Sequence, residues 1–349
     1  MHVLIAKNRE FLTEFVDFVD TMQNEVSSRK KANLKLRIAI DLLGGEVSPQ
    51  EWLNSLIAMP PKFPCPVDIN LFIPRNKNVK IPSLKNINFT PVRASVISMK
   101  DPPSTVRTKK SCSIVQGMRA LEEKKIDGLL STGNTGAIVA GASLYMSKLT
   151  GITRPSLLAF LPSRKKPLGI IDVGANVDYS PERIFSFGKL GIAAQQALGI
   201  RNPRIALLNV GSEKHKGSKE LRSCYQLLEK FPNFIGNVEG NILFEGNIDL
   251  LVTNGFTGNI IVKSIEGFSS FILGILDKRN ILPYKLFPNT FIDGAILMGV
   301  DGMVMKCHGS AQPNTITNAL DYFFKVLKKE FLIKYKKYYQ KNYCRLSSL

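Results

Sequence analysis

Short apolar runs alternate with amphipathic stretches along most of the chain, and many of the runs stop in a polar turn that carries glycine. The run from Leu36 to Leu42, interrupted by Asp41 and broken at Gly44 and Gly45, predicts a first strand buried on both faces, as in a parallel sheet. Val67 to Ile73 and Asn88 to Val92 predict two further strands, with a proline- and lysine-rich surface segment between them. Residues 111–125 read as a helix. An apolar strand then stops at the turn STGNTG, and a second helix opens behind it. SLLAFLP and LGIIDVGANVD follow as strands, 182–198 as a helix, RIALLNVG as a strand, and 218–231 as a helix. NFIGNVEG, IDLLVTNGFTGN and a long helix over 260–276 continue the alternation. Strands followed by helices at this spacing predict a doubly wound α/β architecture, in which ligands sit beyond the carboxyl ends of the strands.

The polar turns fall at those ends. They are GNTG (Gly133 to Gly136), DVGANVD (Asp172 to Asp178), NVGSEKHKG (Asn209 to Gly217) and NGFTGN (Asn254 to Asn259). In the first, Gly133 and Gly136 let backbone approach a ligand, Ser131, Thr132, Asn134 and Thr135 offer side-chain donors, and Asn134 is suited to cap the next helix. Unpaired amides and partial positive charge at a helix start favour phosphate or carboxylate. One such turn is explained by turn chemistry alone; four at one sheet edge predict an anion-handling cleft.

Composition narrows the picture. The chain has 349 residues, of which 44% are hydrophobic, enough for a sizeable core. No apolar run reaches the roughly 18 residues of a membrane span, and no signal peptide is evident, so the expected location is cytoplasmic. Five scattered cysteines and three histidines show no metal-ligand spacing, so no metal and no cofactor is expected. The formal charge of +19 points to polyanionic partners, of which nucleic acid is the least favoured because no zinc-finger or RNA-binding signature occurs. Residues 1–35 read as an extension in which Phe11, Phe15, Phe18, Val19 and Met22 share a helical stripe; its acidic polar face favours docking on protein over anionic lipid. Residues 328–349 read as a basic amphipathic tail, leaving 36–327 as the main domain.

These turns give the chain a resemblance to the phosphate acyltransferases of bacterial phospholipid synthesis. It extends from about Leu36 to about Leu327. The motifs that carry it are RIAIDLLGG, VRTKKSCS, LLSTGNTGA, LGIIDVGANVD, NPRIALLNVG with KGSKEL, NFIGNVEG, VTNGFTGNIIVKSIEG and GAILMGVDGMVMKCHGS. The resemblance implies an α/β/α fold similar to phosphotransacetylase and isocitrate dehydrogenase-like enzymes, usually working as a homodimer. It also implies transfer of a fatty acyl group from acyl-acyl-carrier protein, or acyl-CoA, to inorganic phosphate, the acyl phosphate then serving a membrane acyltransferase. Lys216 and Asn259 match family residues assigned to catalysis, and His308 also matches the pattern and is a candidate to protonate the leaving thiolate.

For substrate and phosphate binding the candidates are Gly133, Asn134, Thr135, Gly136, Asn176, Asn254 and Gly258, and for carrier-protein binding Arg107, Lys109 and Lys110, with Arg164, Lys165 and Lys166 as further basic candidates. Glu46 and Asn254 stand where the family usually has aspartate. The segment from Phe268 to Phe287 matches a region that the family uses for dimerisation and transient membrane attachment; with the basic tail it implies peripheral association with an anionic membrane surface. Two alternatives stay open: a phosphotransacetylase-type enzyme for short-chain acyl-CoA, and a catalytically idle scaffold of lipid synthesis.

Overall fold

The computed structural model describes residues 35–58, 63, 65–278, 294–328 and 330–347. The expected helix at Phe11 to Met22 and the part of the apolar segment beyond residue 278 lie outside the described residues. The chain divides into two compact units, the first drawn from Lys30–Pro155 and Asp293–Lys334, the second including Ser156–Ile292 and Tyr335–Leu349.

In the first unit β1 (Leu36–Asp41) pairs in parallel with β2 (Val67–Pro74) and β4 (Gly128–Ser131), and β2 with β3 (Ile87–Ala94). β11 (Val304–Cys307) lies parallel to β4, and β10 (Gly294–Met298) is antiparallel to β11. The order is therefore β3-β2-β1-β4-β11-β10. Ile38, Ile40, Leu129, Leu130 and Val304 are fully buried, which is why these strands read as unbroken apolar runs.

In the second unit the order is β5 (Ser156–Leu161), β6 (Leu168–Ile171), β9 (Leu250–Val252), β7 (Ile205–Leu208), β8 (Phe234–Val238). β6, β9, β7 and β8 run parallel, and β5 is antiparallel to β6. The registers Ile171↔Val252 and Leu207↔Val252 bring three strand ends level. The α/β class expected from the alternation is what forms.

Of helices α1 (Pro49–Ala58), α2 (Ser113–Glu122), α3 (Thr135–Tyr145), α4 (Pro181–Ala197) and α5 (Lys219–Leu228), the last three start at ordinary caps and α2 at Cys112, whose sulfur accepts the Val115 N–H. Ser180 and Ser218 accept the backbone N–H groups of Arg183 and Leu221, and Asn134 accepts that of Ala137 at 3.0 Å. Helix α6 (Gly255–Lys278) departs from expectation. The stretch GFTGN, read as a turn before a helix at residue 260, is instead its first turns. Its glycines permit contact that no side chain would: a β carbon at Gly258 would fall on the carbonyl oxygen of Asp172.

Helix α7 (Pro313–Lys328) is followed by α8 (Phe331–Ser347), which carries the basic tail. Phe331, Tyr335 and Tyr339 are buried, Asn342 hydrogen-bonds Gln196 at 2.9 Å, and Lys189 lies 5.2 Å over the Tyr343 ring. The aromatic stripe expected to face a bilayer is thus turned onto the protein, leaving Ile333, Lys334, Lys337 and Lys341 outward. No helix among the described residues is long and apolar enough to cross a membrane.

Candidate active-site residues

In the first unit the carboxyl ends of β1, β4 and β11 meet around a buried carboxylate. Asp41 stands opposite Ser131, and Lys306 is in register with Ser131 from the other side. Asp41 accepts the Leu43 N–H at 3.0 Å and the Ser131 hydroxyl at 2.8 Å, while Ser131 Oγ accepts the Gly133 N–H at 3.1 Å. Complete burial pushes the Asp41 carboxyl up to about 6, against the opposing pull of the Ser131 and Leu43 hydrogen bonds and the Lys306 charge. The Thr132 hydroxyl is buried beside Gly45 and has no hydrogen-bond partner among the described residues. Glu46 N–H donates to the Gly309 carbonyl at 2.7 Å, joining the turn after β1 to the loop after β11.

The GNTG side chains are largely engaged. Asn134 caps α3 with its oxygen and donates its amide nitrogen to the carbonyls of Ser98, Met99 and Asp101 at 3.1 to 3.3 Å. It therefore fixes the turn. Gly133 is buried, whereas Thr135 and Gly136, the first residues of α3, are half-exposed and leave backbone available at the helix start. His308, at the end of β11, is half-buried, and its carbonyl accepts the Ala311 N–H. Of the basic candidates, Lys109 donates to the Val96 carbonyl at 2.6 Å and Lys110 to the Tyr145 hydroxyl at 3.0 Å, while Arg107 is exposed.

In the second unit the three turns follow neighbouring strands β6, β9 and β7. Asp172, just beyond β6, is buried and accepts the N–H groups of Leu157, Ala175 and Asn176 and the Asn176 side-chain amide at 2.8 to 3.1 Å. Burial still holds its carboxyl above the ordinary carboxylate range. Asn176 is buried too, and its carbonyl accepts the Gly255 N–H at 3.0 Å, which ties the first turn to the start of α6. Asn254 caps α6 by accepting the Thr257 N–H at 2.9 Å. Asn259, one turn further on, is exposed and lies against Gly174, whose φ of +119° only glycine adopts readily.

The turn after β7 is held by buried amides. Asn209 donates to the Lys216 carbonyl at 3.1 Å, and Asn237 to the Glu213 carbonyl at 2.9 Å. Gly217, at φ +86°, closes the turn against Asn209. The Lys216 ammonium projects outward, 3.9 Å from Glu213, a separation too long for a hydrogen bond. Arg164, Lys165 and Lys166 contact Glu245, Asn247 and Asp249, with Arg164 and Lys165 exposed and Lys166 half-buried.

The structure thus brings Asn176, Asn254, Gly258, Asn259 and Lys216 to one edge of the second unit, and Gly133 to Gly136 and His308 to the ends of neighbouring strands in the first. Of the buried residues that shape these turns, Thr132 was read from the sequence as a donor, whereas Asp41, Asp172, Asn209 and Asn237 were not singled out as site residues. A carboxylate inside an apolar run, as in RIAID and GIID, was the available signal for the two aspartates.

The family model described as fatty acid synthesis protein matches residues 36–281. A phosphate acyltransferase of Halothermothrix orenii is 34% identical over 313 residues, covering 82% of this chain and 93% of that one. Another from Thermotoga maritima is 36% identical over 307 residues, covering 82% and 91%. Among solved structures, a phosphotransacetylase from Streptococcus pyogenes superposes with a TM-score of 0.58 at 13% identity, covering 90% of this chain and 98% of that one, a likeness of fold.

Proposed function

We propose, from the premise that this chain belongs to the phosphate acyltransferase family, that it transfers a fatty acyl group from acyl-acyl-carrier protein to inorganic phosphate. In this reaction a phosphate oxygen attacks the thioester carbonyl carbon and the carbon–sulfur bond breaks. The phosphate proton passes to the departing thiolate, giving acyl phosphate and the free thiol carrier. The requirements are charge neutralisation for a phosphate dianion, a donor to the thioester oxyanion and a path for one proton.

Lys216 supplies the charge and Asn259 the oxyanion donor in this reading. The observation that carries it is that both side chains are exposed just beyond neighbouring parallel strands, Lys216 on the turn after β7 and Asn259 in the first turns of α6 after β9, while buried Asn209, Asn237 and Asp172 fix the backbone beneath them. Such fixed donors need little reorganisation as charge develops. Within the first unit, the Thr135 and Gly136 backbone at the start of α3 is suited to an anion, and His308, just beyond β11 of that unit, is a candidate proton donor. Arg107 and Lys110 are exposed basic candidates for an acidic carrier protein, where charge raises encounter rate more than affinity. Exposed Phe268, Phe271 and Ile275 on α6 support a homodimer working at a membrane surface, where acyl phosphate would be handed to a membrane acyltransferase.

The test is thiol release from palmitoyl-acyl-carrier protein with and without inorganic phosphate, with hydroxylamine trapping of the product. Phosphate-dependent release of a trappable acyl phosphate is expected. Release that ignores phosphate would mark a thioesterase, and no release would favour a scaffold.

A further inference from the structure

Turns that close on polar groups and glycine ordinarily keep large apolar side chains out of solvent, yet the second unit does the opposite at three neighbouring strand ends. Beyond β6 stands Val177, 67% exposed; beyond β9, Phe256, 58% exposed; beyond β7, Val210, 78% exposed. Because β6, β9 and β7 are neighbours in that order, these three side chains stand along the same edge as Lys216 and Asn259. The Asn176–Gly255 backbone hydrogen bond sets Val177 beside Phe256. Neighbouring strands lie about 4.8 Å apart, so the row crosses on the order of 10 Å.

Isolated exposed apolar residues are unremarkable, but a contiguous series placed among reactive polar groups marks a surface for an apolar ligand. A phosphate or a short acid would gain nothing from it. We propose that this row is the track on which the hydrocarbon chain of the thioester donor lies, so that Val177, Phe256 and Val210 determine chain-length preference. The inference rests on the acyl-transfer reading above and adds to it the residues that select long chains.

The experiment compares wild type, Val210→Asn, Phe256→Ser and, as a control from an exposed apolar position elsewhere in the chain, Ile333→Asn. The kcat/KM for palmitoyl-CoA and for butyryl-CoA is measured at saturating phosphate, and palmitoyl-CoA binding by calorimetry. The palmitoyl-to-butyryl ratio and the palmitoyl-CoA affinity are expected to fall by about tenfold in each track variant and to hold in Ile333→Asn. An unchanged ratio and affinity in active track variants would overturn the track and leave the acyl-transfer reading standing. A wild type that binds palmitoyl-CoA but releases no thiol with phosphate, while the track variants lose binding, would overturn the acyl-transfer reading and leave the track standing. A wild type that does not bind palmitoyl-CoA would overturn the track, as would an equal loss with both donors.

Discussion

The two units end their strands in turns of similar composition and use them differently. In the first, Asp41, Ser131 and Asn134 spend their polar atoms on the fold: the carboxylate gathers the Leu43 amide and the Ser131 hydroxyl, and Asn134 both caps α3 and holds the 98–101 loop. In the second, the fixing is done by buried Asp172, Asn209 and Asn237, which leaves Lys216 and Asn259 outward. A polar turn becomes reactive where other side chains satisfy its backbone, so that its own are left for a substrate.

The largest effect expected from this division is at Asp172. Asp172→Ala strands the donors of Leu157, Ala175 and Asn176 in a buried place, at a cost of at least about 3 kcal/mol, which urea unfolding would measure. A loss below about 1 kcal/mol would show that the turn does not depend on this carboxylate.

A smaller effect concerns Asp41, whose carboxyl is raised from 3.8 to about 6. The folded protein holds this proton more tightly than the unfolded chain. The stability it contributes is therefore fully present below about pH 4 and lost as pH rises through about 6. Asp41→Asn removes that dependence, so the variant is expected to gain on wild type by about 2–3 kcal/mol between pH 4 and 7. Parallel stability curves for the two proteins would contradict the burial effect.

Asn134→Ala comes next. Loss of the α3 cap is expected to cost about 1–2 kcal/mol, read as a lower unfolding midpoint, with a reduced rate because the turn is released. A variant of full stability and no activity would instead place Asn134 in contact with substrate and erase the contrast between the units.

Most strands were legible because burial on both faces writes an unbroken apolar run, and α3, α4 and α5 because Asn134, Ser180 and Ser218 mark their starts. Residues 255–259 were misread since two glycines within a few residues normally mean a turn; their reason, close approach to the Asp172 carbonyl, is a tertiary contact. Helix α1 does carry a local signal, the reciprocal pair in which Ser48 N–H donates to Glu51 and Glu51 N–H to Ser48 Oγ. The Asp41–Ser131 bond joins residues 90 positions apart and could not be read from spacing. The tail shows the converse: its stripe of aromatics and lysines is equally suited to a membrane or to a protein surface, and only packing shows Phe331, Tyr335 and Tyr339 buried.

The most direct measurement is a paired one on Lys216→Ala: the unfolding midpoint and the rate of phosphate-dependent thiol release from palmitoyl-acyl-carrier protein. Because the fold uses the Lys216 backbone and not its ammonium, the midpoint is expected to stay within about 2 °C of wild type while the rate falls roughly 100-fold or more. Full activity, or a loss of activity explained by unfolding, would contradict the assignment of Lys216 and the division between fixing and reacting residues on which it stands.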